Sequence, residues 1–265
     1  MLSMYLVVGA FAGVMSGLFG IGGGVIVIPA LAAIFLHYAA IPQNAEMQMA
    51  VGTSLAIMIV TSLSALYAHY KREAVRWDIF FRMLPGLAIG AIIGAFIAHF
   101  LSSNILKIIF SGFLFIIGVR MALNRETHEG KKPVSSLVTQ IAALLIGVLS
   151  SLLGIGGGVL LVPFLLYSQM DIRAATGTSI ACGLSVGIVA TICFMIAGLF
   201  TLIPVEWSTG YIYWPAFLGI SVASALFAPL GAMLAHKLPK EFLKRIFGWF
   251  LLVMACDMLF SLIRN

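Results

Sequence analysis

Residues 20–29 read Gly20-Ile21-Gly22-Gly23-Gly24-Val25-Ile26-Val27-Ile28-Pro29, and nearly the same string returns 134 positions later as Gly154-Ile155-Gly156-Gly157-Gly158-Val159-Leu160-Leu161-Val162-Pro163. Each copy interrupts a long apolar run. A glycine inside a helix costs about 1 kcal/mol relative to alanine, so four within five residues predict a break. In hydrocarbon the backbone groups freed by a break are costly unless protein covers them or they line a cavity. A chain that breaks twice at matching places is building something there.

The surrounding composition makes hydrocarbon the right solvent to consider. Of 265 residues, 62% are hydrophobic and 9% are charged, against roughly 25% charged in a soluble domain. That predicts a polytopic membrane protein. The net charge of +6 is no nucleic-acid footprint, because the basic residues fall in short loops and report topology instead. Cys182, Cys193 and Cys256 lie in apolar segments without CxxC spacing, and read as buried free thiols. The first apolar segment has neither a basic leader nor a cleavage pattern, and reads as part of the membrane domain.

Apolar segments run over 4–19, 25–36, 47–69, 78–99, 104–123, 136–153, 159–168, 174–199, 211–235 and 241–263. A crossing takes about 20 residues, so 25–36 and 159–168 are too short to cross alone. Either each glycine-broken unit crosses once or it turns back at the glycines. Turning back puts loops 70–77, 124–135, 169–173 and 236–240 on one side, and that side then holds every Lys and Arg except Lys107 and Arg264. A single crossing spreads them far more evenly. Cytoplasmic loops carry the Lys/Arg excess, which favours turning back, as a re-entrant loop or as a full hairpin.

The chain therefore reads as an all-α polytopic membrane protein of two inverted repeats. Each repeat holds one glycine-broken re-entrant or hairpin unit and three transmembrane helices. The N-terminal repeat covers 1–123, a cytoplasmic linker covers 124–135 and the C-terminal repeat covers 136–265. Both termini are expected outside the cytoplasm. The duplication extends past the glycines: Ala50-Val51-Gly52-Thr53-Ser54-Leu55-Ala56 matches Ala175-Thr176-Gly177-Thr178-Ser179-Ile180-Ala181, and Gly94-Ala95 with Ala98-His99 matches Gly231-Ala232 with Ala235-His236. Inverted repeats with broken helices typify secondary transporters, whose sites lie near the midplane between the repeats.

A helix starting near Val25 or Val159 leaves its first N–H groups unpaired and aimed at the tip, and the helix dipole adds to their pull on an anion. Gly20, Gly22, Gly23 and Gly24, with Gly154, Gly156, Gly157 and Gly158, are thus candidate substrate-binding residues through their backbones. Thr53, Ser54, Thr178 and Ser179 offer hydroxyls beside them. The alternative for the glycines is tight packing with a kink, and for the hydroxyls a bond back to their own helix. Gly9, Gly13, Gly17 and Gly86, Gly90, Gly94 are small-residue faces for close helix contact. Glu46 is expected at the interface, Asp257 lies well inside the last crossing, and His99 and His236 read as interface histidines at helix ends. Nothing resembles a nucleotide loop, a metal cluster or a nucleophile motif, so no catalytic residue, metal or cofactor is assigned and no enzyme activity is expected.

With both doubled strings in hand, the chain resembles the TauE/SafE family of sulfite and organosulfonate exporters over almost its whole length. That resemblance implies an inner-membrane permease for sulfite, sulfoacetate or a related anion, driven by an ion gradient. The expected partners are a small anionic substrate, the lipid bilayer and a coupling ion (H+ or Na+), with no nucleic acid. Open alternatives are a passive anion channel on the same scaffold and a non-transporting assembly subunit.

Overall fold

The computed structural model describes residues 1–19, 23–37, 41–71, 73–123, 135–201, 205–235 and 240–264. It is almost entirely helical: α1 (Leu2–Phe19), α2 (Gly24–His37), α3 (Glu46–Tyr70), α4 (Trp77–Phe100), α5 (Ser103–Ala122), α6 (Ser136–Leu152), α7 (Gly158–Tyr167), α8 (Ile172–Phe200), α9 (Trp214–Ala235) and α10 (Lys240–Arg264). Six of these, α3 to α5 and α8 to α10, are long and apolar enough to cross a membrane. That gives three in the first half of the chain and three in the second. At 1.5 Å per residue, α2 spans about 21 Å and α7 about 15 Å, well short of the hydrocarbon core of about 30 Å.

The breaks fall where the glycines predict them, one residue earlier than expected: α2 starts at Gly24 and α7 at Gly158. Gly154 and Gly157 both adopt positive φ, +62° and +55°, and Gly157 is the residue that caps α7. Only glycine enters that left-handed region without steric cost, so the turn into α7 needs glycine at both places. Pro29 and Pro163 then sit at the sixth position of α2 and α7, where each removes one helical hydrogen bond.

The helices interlock across the two halves. α1 lies against α9, and α6 lies against α4. The glycine faces make this possible. Gly9 and Gly13 of α1 touch the backbone at Ile220 and Ser224 of α9, and the Ser224 hydroxyl donates to the Gly9 carbonyl at 2.9 Å. Gly90 and Gly94 of α4 meet the backbone at Leu144 and Val148 of α6, and Gly147 answers against Leu87. α3 crosses α8 and α5 crosses α10, the latter with Gly118 against the Gly248 carbonyl. Outward faces carry large exposed apolar side chains such as Phe96, Phe100, Ile116 and Leu226, the surface that lipid would cover.

Several expectations need correction. Residues 211–213 are not the start of a helix. Ser208–Thr209 and Ile212–Tyr213 pair as a short antiparallel hairpin ahead of α9. Glu46 is buried against Lys107, its Oε2 2.9 Å from the ammonium. His99 is half-buried, with its Nδ1 3.2 Å from the Tyr211 hydroxyl. Cys256 is exposed on the outward face of α10, whereas Cys182 is buried and Cys193 half-buried. The linker at 124–134, His236 and the Arg264 side chain lie outside the described residues.

Candidate functional site

The two glycine tips meet. A methyl group on Gly24 would lie 2.5 Å from the Gly154 carbonyl oxygen, 3.1 Å from the Ser54 hydroxyl and 3.3 Å from Ile155 Cα. The Ser54 hydroxyl donates to that same Gly154 carbonyl at 3.1 Å. The start of α2 and the turn before α7 are thus in backbone contact, with α3 bonded across the junction. No side chain could stand between them, which is the physical reason for glycine at both tips.

The repeated Gly-Thr-Ser strings grip the opposite half. The Thr53 oxygen accepts the backbone N–H of Tyr213 at 3.0 Å, and the Thr178 oxygen accepts that of Arg76 at 3.0 Å. Tyr213 immediately precedes α9 and Arg76 immediately precedes α4. The glycines act alongside: Gly52 lies against the Tyr211 carbonyl and Gly177 against the Ala74 carbonyl. Each string therefore anchors the entry to the fourth helix of the other half. Thr53, Thr178, Ser54 and Ser179 are all buried. The Ser179 hydroxyl bonds back to the Thr176 carbonyl at 2.8 Å, as lone hydroxyls in membrane helices often do.

Beside the junction lies a cavity of about 330 Å³. Gly23 of the first tip and Gly156 and Gly158 of the second line its floor. Its walls carry the hydroxyls of Ser16, Thr61, Ser62 and Thr176, and His69 stands at the far end of α3. Among the described residues, none that lines it is an Asp, Glu, Lys or Arg. Among the described residues, the N–H groups of Gly156 and Val159 at the start of α7 find no backbone carbonyl. Of the cavity's hydroxyls, Thr61 and Thr176 already donate to the Met58 and Ile172 carbonyls at 3.1 and 2.7 Å, and no carboxylate among the described residues faces the space to repel an anion. Its size falls in the range of small-molecule sites.

Comparison with known proteins agrees with this architecture. The sequence model of one family, described as "Sulfite exporter TauE/SafE", matches residues 5–258. The chain belongs to the TauE/SafE family. Among its relatives, a probable membrane transporter protein of Haemophilus influenzae is 36% identical over 255 residues, covering 96% of each chain. A probable membrane transporter protein of Methanocaldococcus jannaschii is 29% identical over 267 residues, covering 98% of this chain and 96% of its own. The chain is therefore a multi-pass membrane transporter of the TauE/SafE family, similar to these two proteins along their whole length.

Within this TauE/SafE chain the residues singled out from sequence separate into three groups. Gly23, Gly156 and Gly158 line the cavity. Gly24, Ser54 and Gly154 build the junction beside it, Gly157 caps α7, Thr53 and Thr178 hold the entries to α9 and α4, and Ser179 bonds back to its own helix. Gly20 and Gly22 lie outside the described residues. Sequence reasoning missed Ser16, Thr61, Ser62, Thr176 and His69. One signal could have found the α3 wall: Ile57, Thr61, Ala65 and His69 follow one another at four-residue intervals, so they share a helix face.

Proposed function

We propose that the chain is a secondary transporter that exports a small sulfur-containing oxyanion, such as sulfite or sulfoacetate, by alternating access between two inverted halves, 1–123 and 136–265. The observation that carries the reading is the cavity at the meeting of the tips, whose described lining carries hydroxyls and no carboxylate. A sulfite or sulfonate group presents three oxygens that accept hydrogen bonds. Backbone N–H groups at a helix start bind such an anion without a buried cation. The interlocked contacts support the inverted arrangement, because α1 on α9 and α6 on α4 are the same contact with the halves exchanged. The family description names sulfite export, and the substrate class follows that name.

In this reading Gly22, Gly23 and Gly24 supply backbone donors from the first tip, and the second tip supplies the N–H groups of Gly156 and Val159, because those of Gly157 and Gly158 already bond the Ile155 and Gly156 carbonyls. The hydroxyls of Ser16 and Ser62 complete the shell, while those of Thr61 and Thr176 already donate to the Met58 and Ile172 carbonyls. Ser54 and Ser179 already donate their hydroxyl protons to the Gly154 and Thr176 carbonyls, whereas Thr53 and Thr178 accept backbone N–H groups and keep a hydroxyl proton that an anion could take. The protein resides in the inner membrane with the Lys- and Arg-rich loops cytoplasmic and both termini outside. The cavity runs from the tips toward the His69 end of α3, the cytoplasmic end in this orientation. The conformation is then open to the side from which an exporter loads.

Reconstitution into liposomes with labelled sulfite and sulfoacetate tests the reading. Saturable uptake with counterflow is the expected result. Stepwise conductance in a planar bilayer would identify a channel instead, and no flux with stable co-purification of a partner would identify an assembly subunit.

A further inference from the structure

The residues just before the two glycine strings also repeat. Gly13-Val14-Met15-Ser16-Gly17-Leu18 returns as Gly147-Val148-Leu149-Ser150-Ser151-Leu152, at the same offset of 134 as the strings themselves. Ser150 is thus the counterpart of Ser16. The contacts of the two units correspond as well: Gly13 meets the α9 backbone at Ser224, and Gly147 meets the α4 backbone at Leu87. The two serines nevertheless lie in unlike surroundings. Ser16 is half-buried in the wall of the cavity at the tips. Ser150 is 1% exposed, and among the described residues its hydroxyl has no hydrogen-bond partner.

A buried hydroxyl without a partner gives up its hydration for nothing, and such orphans are few in native structures. A helical serine in a membrane commonly bonds back to the carbonyl one turn earlier, which Ser150 does not do. It stands at the turn into α7. Its Oγ lies 3.6 Å from where a methyl group on Gly157 would be, and its own carbonyl accepts the Ile155 N–H at 2.9 Å. The same turn has donors to spare. Among the described residues the Gly156 and Val159 N–H groups find no carbonyl, whereas the Gly154, Ile155 and Gly156 carbonyls already accept from Ser54, Gly157 and Gly158. A spare hydroxyl beside spare N–H groups, with the carbonyls engaged, suits an anion and not a cation.

The turn is closed on this side in the present conformation. Met58 of α3 covers it, with its sulfur 2.5 Å from where a methyl group on Gly156 would lie and its terminal methyl 2.8 Å from the same point on Gly187 of α8. A thioether on an unbranched chain can swing clear when α3 and α8 move apart.

We propose that Ser150 is a substrate-binding residue of the opposite-facing state, its hydroxyl joining the Gly156 and Val159 N–H groups around the oxyanion, as Ser16 serves the cavity that is open here. The proposal rests on the reading of the chain as an oxyanion carrier with exchanging halves. In such a carrier the inverted units trade environments as access alternates. Here the Ser16 unit holds the open environment and the Ser150 unit the closed one. In the opposite state Ser150 lines the open space, and the substrate supplies the partner that its hydroxyl lacks at rest. Gly156 already lines the open cavity, so the anion passes from Ser16 to Ser150 without leaving the second tip.

The test uses the full chain in right-side-out and inverted membrane vesicles, with labelled sulfite and labelled sulfoacetate in counterflow, so that each face of the carrier is read separately. Loss of one hydrogen bond to a charged group weakens binding by about tenfold or more. Ser150→Ala is expected to raise the half-saturating concentration at the outer face by that factor and to leave the cytoplasmic face near its wild-type value. Ser16→Ala is expected to do the reverse. Because alanine removes an orphaned hydroxyl, Ser150→Ala should unfold at or above the wild-type temperature. Ser151→Ala is the control. Ser151 is as buried and as unpartnered, but its counterpart is Gly17, which has no hydroxyl, so Ser151→Ala should transport as the wild type does. The two effects exchanged between the faces would turn the protein over in the membrane and keep the pairing of the serines. The proposal is overturned if Ser150→Ala keeps wild-type half-saturation at both faces, if either variant weakens both faces alike, if the two act at the same face, if Ser151→Ala shares the defect, or if Ser150→Ala unfolds before the wild type. Absence of counterflow by the wild type with either substrate overturns the oxyanion-carrier reading itself, a result distinct from all of these.

Discussion

The Ser54 hydroxyl donates to the Gly154 carbonyl at 3.1 Å, joining the third helix of the first half to the glycine turn of the second. Removing it with Ser54→Ala leaves a buried carbonyl without that donor. Side-chain hydrogen bonds between membrane helices are worth about 0.5–2 kcal/mol. We expect a loss of that size in a chemical or thermal unfolding series in detergent, with Ser54→Thr retaining the bond and most of the stability.

Thr53 and Thr178 make the same bond in opposite halves, so their variants should behave alike. Thr53→Val frees the Tyr213 N–H and Thr178→Val frees the Arg76 N–H. Each should cost about 1–2 kcal/mol, since an orphaned buried donor loses its full hydration. Thr→Ser at either position should restore it. A large effect at one site and none at the other would break the proposed equivalence of the halves, read by the same unfolding series.

The glycines divide by what surrounds them. Gly90 and Gly94 lie in backbone contact with α6, whereas Gly112 has open space around it. Gly90→Ala should force α4 and α6 apart and lower the yield of monodisperse protein. Gly112→Ala should be neutral or stabilising, by up to about 1 kcal/mol of helix propensity. Comparative thermostability by size-exclusion chromatography separates the two.

At the cavity, Gly23 is a cleaner probe than Gly157. A methyl group on Gly23 meets Val27 at 3.6 Å and Ala12 at 3.8 Å, both ordinary contacts, whereas Gly157 has positive φ. Gly23→Ala should fold normally and weaken sulfite or sulfoacetate transport by roughly tenfold or more, because it fills the approach to the backbone donors. Gly157→Ala should lose both stability and transport. Normal transport by well-folded Gly23→Ala would remove the tips from the substrate path.

Orientation is open to direct measurement. In a background without the three native cysteines, a cysteine at Glu73 should be shielded from an impermeant maleimide added to intact cells. A cysteine at Ser102 should react. The reverse pattern would turn the protein over in the membrane, and with it the assignment of the Lys- and Arg-rich side.

The helices were legible because hydropathy and length decide them, and the glycine break because backbone cost decides it. The close helix faces at Gly9, Gly13, Gly90 and Gly94 could likewise be read from spacing. Partners distant in sequence could not be read this way. Glu46 and Lys107 are 61 residues apart, and each alone looks like a charge near a helix end. Thr53 and Tyr213 are 160 residues apart, so a hydroxyl that seemed available to a ligand turns out to hold a loop. The hairpin at 208–213 escaped notice because its residues continue the hydropathy of the helix that follows. Ser16 and Thr176 acquire a role only when two halves fold around one space.

The seam between α1 and α9 also governs how the protein must be made. Ser224 closes on Gly9 across 215 residues of chain, and at about 5–20 residues per second that interval takes roughly 10 to 40 s of translation. Through all of it the first helix waits in the bilayer with its glycine face towards lipid. Assembly is therefore a late event, and a ribosome that stops before the ninth helix leaves a fragment with no mate for its first.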